Sequence, residues 1–264
     1  MPNRTGMSKL DGATAFVTGA SQGIGEEIAV TLAEHGANVA LAARSDGIYD
    51  TAERVGEEQA LPVKTDVTEE ENVAASIEAT VEEFGGLDIL VNNAGHSGPT
   101  APVEDVAAEE WKTMTDVKVF GPFVCLKHSV PHLRESDRGT VVNISSVGGK
   151  RPYPNRSPYA AANMAMIGMS RTWAHELGSD GVTVNTICPG PVAGPRIEQV
   201  IEAQAEAQDR PVDEVRQEQY LADLAVPEFV EQEDIAEMIA YLASDQGRHI
   251  TAQDLNVASG GAWY

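Results

Sequence analysis

Apolar and polar positions alternate between two rhythms along this chain. Short, nearly continuous apolar runs, the pattern of strands buried on both faces, recur at ATAFVTG (Ala13 to Gly19), NVALAAR (Asn38 to Arg44), LPVKTDV (Leu61 to Val67), LDILVNNAG (Leu87 to Gly95), TVVNI (Thr140 to Ile144), VTVNTIC (Val182 to Cys188) and a final ITAQDLNVASGG. Between them lie stretches with helical spacing. EEIAVTLAEHG stops at Gly36, and EEENVAASIEATVEEFG carries Val73, Ile77 and Val81 four apart. Further helices are predicted from about Ala108 to Leu133, from Ser157 to about Gly178, and over EDIAEMIAYLAS. Strands alternating with helices predict an α/β chain with a doubly wound parallel sheet of about seven strands and helices on both faces.

The turn after the first strand gives this pattern a chemical direction. TGASQGIG (Thr18 to Gly25) runs straight from strand into helix, the context in which backbone N–H groups and the helix dipole face a pyrophosphate. Read alone, the glycines are turn punctuation. With a strand before and another after, they predict a Rossmann-type dinucleotide site using Gly19, Ser21, Gln22, Gly23, Ile24 and Gly25. The second strand then ends at Ala43, Arg44 and Ser45, where an NAD site would place an acidic residue for the ribose hydroxyls. Arg44 can make a forked contact to a 2′-phosphate, so NADP(H) is preferred, with NAD(H) possible; the alternative is a solvated loop arginine. Asp66, beside Val67, can accept from the adenine amine or cap the following helix. Asn92 is expected to bond neighbouring strand backbones, while Asn93, Ala94 and Gly95 border the cofactor's path.

Composition narrows the partners. The 264 residues fit one domain, and a net charge of −23 opposes binding to nucleic acid or anionic membranes. That charge suits either an ordinary acidic soluble protein or a salt-rich cytosol, and scarce lysine favours the halophilic reading. Cys125 and Cys188, both in apolar settings, read as buried thiols in a reducing cytoplasm, and no metal-ligand spacing occurs. The amino-terminal MPNRTGMSKL reads as a loose tail without the apolar run of a signal sequence, and no stretch is long enough to span a membrane.

TGASQGIG, Asp66-Val67, NNAG, the serine and tyrosine of ISSV and YAAAN, and the Pro-Gly turn after the sixth strand together resemble the short-chain dehydrogenase/reductase family over nearly the whole chain. The resemblance implies that Ser146 bonds the substrate oxygen and Tyr159 exchanges a proton with it, Ser145 being the less favoured serine. It also implies cofactor contacts from Pro189, Gly190 and Val192, while Gly194 lacks the hydroxyl of the family's threonine. Two positions depart from the pattern. The family's tyrosine motif ends in lysine where this chain has Asn163, and the family's asparagine before the glycine of the long helix is here Lys118. Lowering a tyrosine pKa from about 10 to about 7 needs roughly 4 kcal/mol, which one ammonium about 4 Å away supplies and a neutral amide does not. Hence the expected tetrad is Lys118, Ser146, Tyr159 and Asn163, with Asn163 left to bond the nicotinamide ribose. Pro122 has no N–H for the Lys118 carbonyl, which is thereby free to hold a relay water.

The expected protein is a cytoplasmic NAD(P)H-dependent oxidoreductase converting a ketone to a secondary alcohol or the reverse. Its substrate is a small molecule, a 3-oxoacyl thioester or, alternatively, a sugar or polyol. The contrary reading has Lys118 in solvent and a catalytically silent dinucleotide-binding regulator or scaffold. The polar segment at about 193–228 is expected to be a helical substrate lid within the single domain, and the resemblance implies a homotetramer. His96 edges the mouth as a bystander or a substrate contact.

Overall fold

The computed structural model describes residues 10–262; the loose tail expected before Leu10 lies outside the described residues. The seven apolar runs form β1 (Thr14–Thr18), β2 (Asn38–Ala43), β3 (Ala60–Lys64), β4 (Ile89–Asn92), β5 (Thr140–Ile144), β6 (Thr183–Pro189) and β7 (Asp254–Val257). Among the described residues they pair in parallel as one sheet in the order β3-β2-β1-β4-β5-β6-β7. Strand order reverses between β1 and β4, which opens a crevice at the carboxyl ends of those strands.

The helices are α1 (Gly23–Glu34), α2 (Gly47–Val55), α3 (Glu70–Phe84), α4 (Ala108–Thr115), α5 (Gly121–Leu133), α6 (Val147–Lys150), α7 (Ser157–Leu177), α8 (Pro195–Gln208), α9 (Val212–Val215) and α10 (Gln232–Leu242). Strand alternation sorts the core into two layers. Ala15, Val17, Val39, Leu41, Ile89 and Val91 meet Ile28 and Leu32 of α1 and Ile235 and Ile239 of α10. Phe16, Ala40, Leu90, Val141 and Val184 face the opposite way, onto Val73 and Ile77 of α3, Val124 and Cys125 of α5, and Ala174 and Leu177 of α7. Both cysteines are buried and unpaired. No helix among the described residues is long and apolar enough to cross a membrane.

Three local features differ from the sequence reading. The helix α2 has no counterpart there, because it buries only Ile48 and Thr51 and so shows no extended apolar stripe. The break expected at Gly121-Pro122 takes the form of a widened, π-helical turn over Asp116–Phe120, where the Gly121 N–H reaches back five residues to the Asp116 carbonyl. Gly121 has to be small, since a Cβ there would lie 2.9 Å from Val67 Cγ2. The last strand covers only Asp254–Val257 of the longer stretch expected.

Candidate active site

The glycine turn is clamped from the fourth strand. Thr18 Oγ1 accepts the N–H groups of Asn93 and Ala94, each at 3.0 Å, and Asn93 Nδ2 donates to the Thr18 and Gly19 carbonyls at 2.9 and 3.2 Å. Gly25 packs so closely that a Cβ would meet Gly19 O at 2.1 Å. Gly23, by contrast, has φ +62° and nothing within 4 Å of its Cβ position. Beside it, the first turn of α1 has no side-chain cap, Gln22 holding the cap position in extended backbone. Open space before uncapped N–H groups fits a pyrophosphate. The two asparagines divide their work differently from expectation. Asn92 bonds a side chain, Asn143 Oδ1 at 2.8 Å, and Asn93 is the one that grips neighbouring backbone.

At the ribose end, Arg44 is largely exposed and its Nη1 lies 3.4 Å from Asp66 Oδ2. Asp66 Oδ1 accepts from the Thr68 N–H at 3.0 Å and hydroxyl at 2.8 Å, which makes it a turn cap ahead of α3. Partial burial raises its pKa, but those two bonds and Arg44 outweigh that and hold the carboxyl below its usual range. Lys64, absent from the sequence reading, adds a second cation: its Nζ donates to the Arg44 carbonyl at 3.1 Å and pairs with Asp46. Ser45 lies between Arg44 and that aspartate, and Val67 is buried against Gly121.

The reactive end gathers where β5 meets α6 and α7. Ser146 caps α6, its Oγ accepting the Gly148 N–H at 3.0 Å, and Gly148 lies against the Tyr159 ring, with its Cβ position 3.2 Å from Cε1. Ser145 instead donates its hydroxyl to the Asn163 carbonyl at 2.8 Å, which ties β5 to α7 and leaves Ser146 nearer the tyrosine. Asn163 is fully buried; its Nδ2 turns back to the Tyr159 carbonyl at 2.8 Å and its Oδ1 has no partner. That acceptor has no accessible surface, so a ribose hydroxyl would satisfy it only once the neighbours covering it shift.

Lys118 projects from the widened turn into the protein. It is 5% exposed, its Nζ donates to the Ile144 carbonyl at 2.6 Å, and its Cδ lies 3.0 Å from the Cβ position of Gly95. The reading with Lys118 in solvent is therefore excluded. Burial above all, then the Arg196 charge, pushes its pKa down to about 7, with Cys188 opposing. Gly95 accordingly makes room for the lysine stem.

Sequence reasoning missed Arg156, which looks like one more polar loop residue. Its guanidinium carbon sits 4.9 Å from the Tyr159 ring centroid and 5.4 Å from that of Tyr153. It is 2% exposed, with Nη1 donating to Thr100 Oγ1 at 3.1 Å and Nη2 to the Ser97 carbonyl at 2.6 Å. The available signal was its place three residues before Tyr159. His96 Nδ1 accepts from the Gly98 N–H at 3.1 Å, which assigns the ring proton to a buried Nε2 on the side of the Thr113 backbone. Burial, then Arg196, lowers the pKa of that ring.

After β6, Gly190 donates to the Val257 carbonyl at 2.9 Å. Val192 faces Val230 in a two-residue bridge carried by the Pro191 carbonyl and the Ala193 N–H, so its own peptide groups take no part in it. From there α8, α9 and a π-helical turn over Arg216–Leu221 pack as a small cluster of Ile201, Ala205, Val215 and Tyr220. The Tyr220 hydroxyl lies 3.4 Å from that of Tyr153. No group of three His, Cys, Asp or Glu among the described residues is arranged to hold a metal.

A family model described as enoyl-(acyl carrier protein) reductase matches residues 19–262. The 3-oxoacyl-[acyl-carrier-protein] reductase of Staphylococcus aureus is 34% identical over 253 residues, covering 94% of this chain and 97% of that protein. Among solved structures, an NAD+-bound xylitol dehydrogenase superposes with a TM-score of 0.91 at 29% identity, over 96% of this chain and 100% of that one. A blue fluorescent protein from a metagenomic library, in complex with NADPH, does so with a TM-score of 0.84 at 31% identity, over 97% and 100%. A doubly wound sheet with a glycine turn at its switch point, and matches spanning nearly the full length of both partners, place the chain in the short-chain dehydrogenase/reductase family.

Proposed function

We propose that this oxidoreductase interconverts a ketone and a secondary alcohol with NADP(H), NAD(H) being the poorer cofactor, in the cytoplasm. The observation that supports the reading is that the buried Lys118 amine bonds the Ile144 carbonyl at the end of β5, two residues before Ser146, whose capped Gly148 lies against the Tyr159 ring. Gly19, Ser21, Gln22, Gly23, Ile24 and Gly25 would hold the pyrophosphate. Arg44, with Lys64 beside it, would take the 2′-phosphate, and the Asn163 Oδ1 a ribose hydroxyl. When bound, the nicotinamide supplies the hydride.

Ser146 orients the substrate oxygen, and Tyr159 gives that oxygen a proton in reduction or takes one in oxidation. Lys118 is the proton reservoir behind them. A group with a pKa of about 7 binds and releases protons readily at neutral pH, and its contact with the Ile144 carbonyl fixes it next to the serine pair. The segment at about 193–228 forms a helical lid on the single domain, latched to it by the Tyr153–Tyr220 hydroxyl pair and braced internally by the Arg216–Glu198 ion pair. The likeness to the acyl-carrier-protein reductase favours a 3-oxoacyl thioester as substrate, and the likeness to a xylitol dehydrogenase supports a polyol as the second candidate.

Purified protein is expected to oxidise NADPH steadily with an acetoacetyl thioester, and Tyr159→Phe to lose about a hundredfold or more of that rate. NADPH binding without turnover across a panel of ketones and polyols would instead establish a silent dinucleotide-binding protein.

A further inference from the structure

A cation buried without a counter-charge needs a reason. The chain has 41 acidic residues, yet among the described residues the guanidinium of Arg156 forms an ion pair with none: its two bonds are to a neutral hydroxyl and a neutral carbonyl, and its Nε is a buried donor with no partner. Ion pairing therefore does not offset the cost of removing this charge from water. What it does face is aromatic, namely the rings of Tyr153 and Tyr159, themselves in an edge-on contact at 6.2 Å. A neutral phenol ring attracts a cation only weakly, through its quadrupole; a phenolate attracts it with a full opposite charge.

We propose that Arg156 is a positioning residue for Tyr159, its permanent charge stabilising the phenolate left when the tyrosine gives its proton to the substrate oxygen. The inference rests on the role of Tyr159 proposed above. In reduction the Tyr159 O–H bond breaks and a new O–H bond forms on the oxygen of the carbonyl being reduced by hydride. The ring of the phenolate that remains keeps its centroid 4.9 Å from the carbon of a guanidinium that cannot deprotonate. Lys118 is a weaker guarantor of that charge, because burial pushes its pKa down to about 7. Anchoring at Thr100 and Ser97 ties the guanidinium to the segment after β4, so the charge is held in place before any ligand arrives. The other ionisable groups around this corner are Tyr153 and Arg151 from the preceding loop, Tyr220 from the lid, Lys118 and His96 behind, and Arg196 at the start of α8.

The test is the pH profile of kcat/KM in the direction of alcohol oxidation, where the phenolate is the base and activity rises as Tyr159 loses its proton. Arg156→Gln is expected to move the rising limb up by about one to two pH units, with a tenfold to hundredfold loss at neutral pH that recovers as pH is raised. Arg156→Lys, which keeps a charge, should restore most of the shift. A limb that stays in place while activity falls equally at every pH would overturn the proposal, as would Arg156→Lys behaving like Arg156→Gln. If Arg156→Gln does not fold, Thr100→Val, which removes one anchor, carries the same test with a smaller shift in the same direction, and no shift there refutes it. Tyr159→Phe separates the two claims. Retained turnover in that variant would defeat the proposed function itself, whereas lost turnover with an unmoved limb in Arg156→Gln would defeat only the role of Arg156.

Discussion

Replacing Lys118 with methionine should make the protein more stable and less active. The amine titrates at about 7 where a free lysine titrates at 10.5, so the folded state binds a proton less readily than the unfolded chain. Lowering the pKa from 10.5 to about 7 corresponds to about 5 kcal/mol of stability forgone wherever the lysine is protonated in both states, its charge then being buried in the fold. That cost is complete below about pH 7, shrinks as pH rises, and is gone above about pH 10.5. Methionine keeps the length of the stem and removes the charge, but it strands the Ile144 carbonyl now bonded at 2.6 Å, which costs about 1–3 kcal/mol. The net expectation is a gain of about 2–4 kcal/mol near pH 6, falling through zero and turning into a small loss near pH 10. Urea unfolding of both proteins at matched salt, at several pH values between those limits, measures this difference and cancels every other titration. A difference that does not vary with pH, or a variant that is weaker near pH 6, would refute the premise that burial lowers the pKa of this amine. On the proton-transfer role proposed for the amine, activity should fall at least tenfold in the same variant.

Three further outcomes follow from the geometry. Lys118→Asn and Asn163→Lys should each cost at least tenfold in kcat, and the double exchange should recover much of it; additive losses in a double-mutant cycle would show that the two positions act independently. On the proposed contact between the Arg44 guanidinium and the 2′-phosphate, Arg44→Ala should raise the KM for NADPH about tenfold and leave that for NADH nearly unchanged, measured by steady-state kinetics with each cofactor. Thermal unfolding in rising potassium chloride should show the midpoint climbing steadily, as screening relieves the repulsion behind a net charge of −23, and a flat response would count against adaptation to a salt-rich cytosol.

Most of the fold was legible because the strands are buried on both faces and therefore read as apolar runs, and because the glycine turn falls between a strand and a helix. Where a segment buries little it left no pattern, as with α2 and its two buried positions. The reactive end was legible where a side chain's neighbours are set by a strand or helix end: Ser146 does cap a turn against the Tyr159 ring, and Lys118 does turn inward. It was illegible where partners come from distant loops. Nothing in the string shows that Ser97 and Thr100 reach the guanidinium of Arg156, 59 and 56 positions later. The two adjacent asparagines of NNAG could not be told apart either, since successive strand residues point to opposite sides and the Thr18 hydroxyl decides which one closes the turn.

The wide turn at Asp116–Phe120 sets the aim of everything after it. One surplus residue in a helical rod swings the downstream face by about 100°. Deleting a single residue there would re-thread the rod as an ordinary helix, withdraw the amine from the serine corner, and rotate the exposed Phe120 and Phe123 away from their present heading. A one-residue length change at this point would thus alter both the chemistry and the outer surface, which makes the segment intolerant of deletions although Phe120 at its end is exposed.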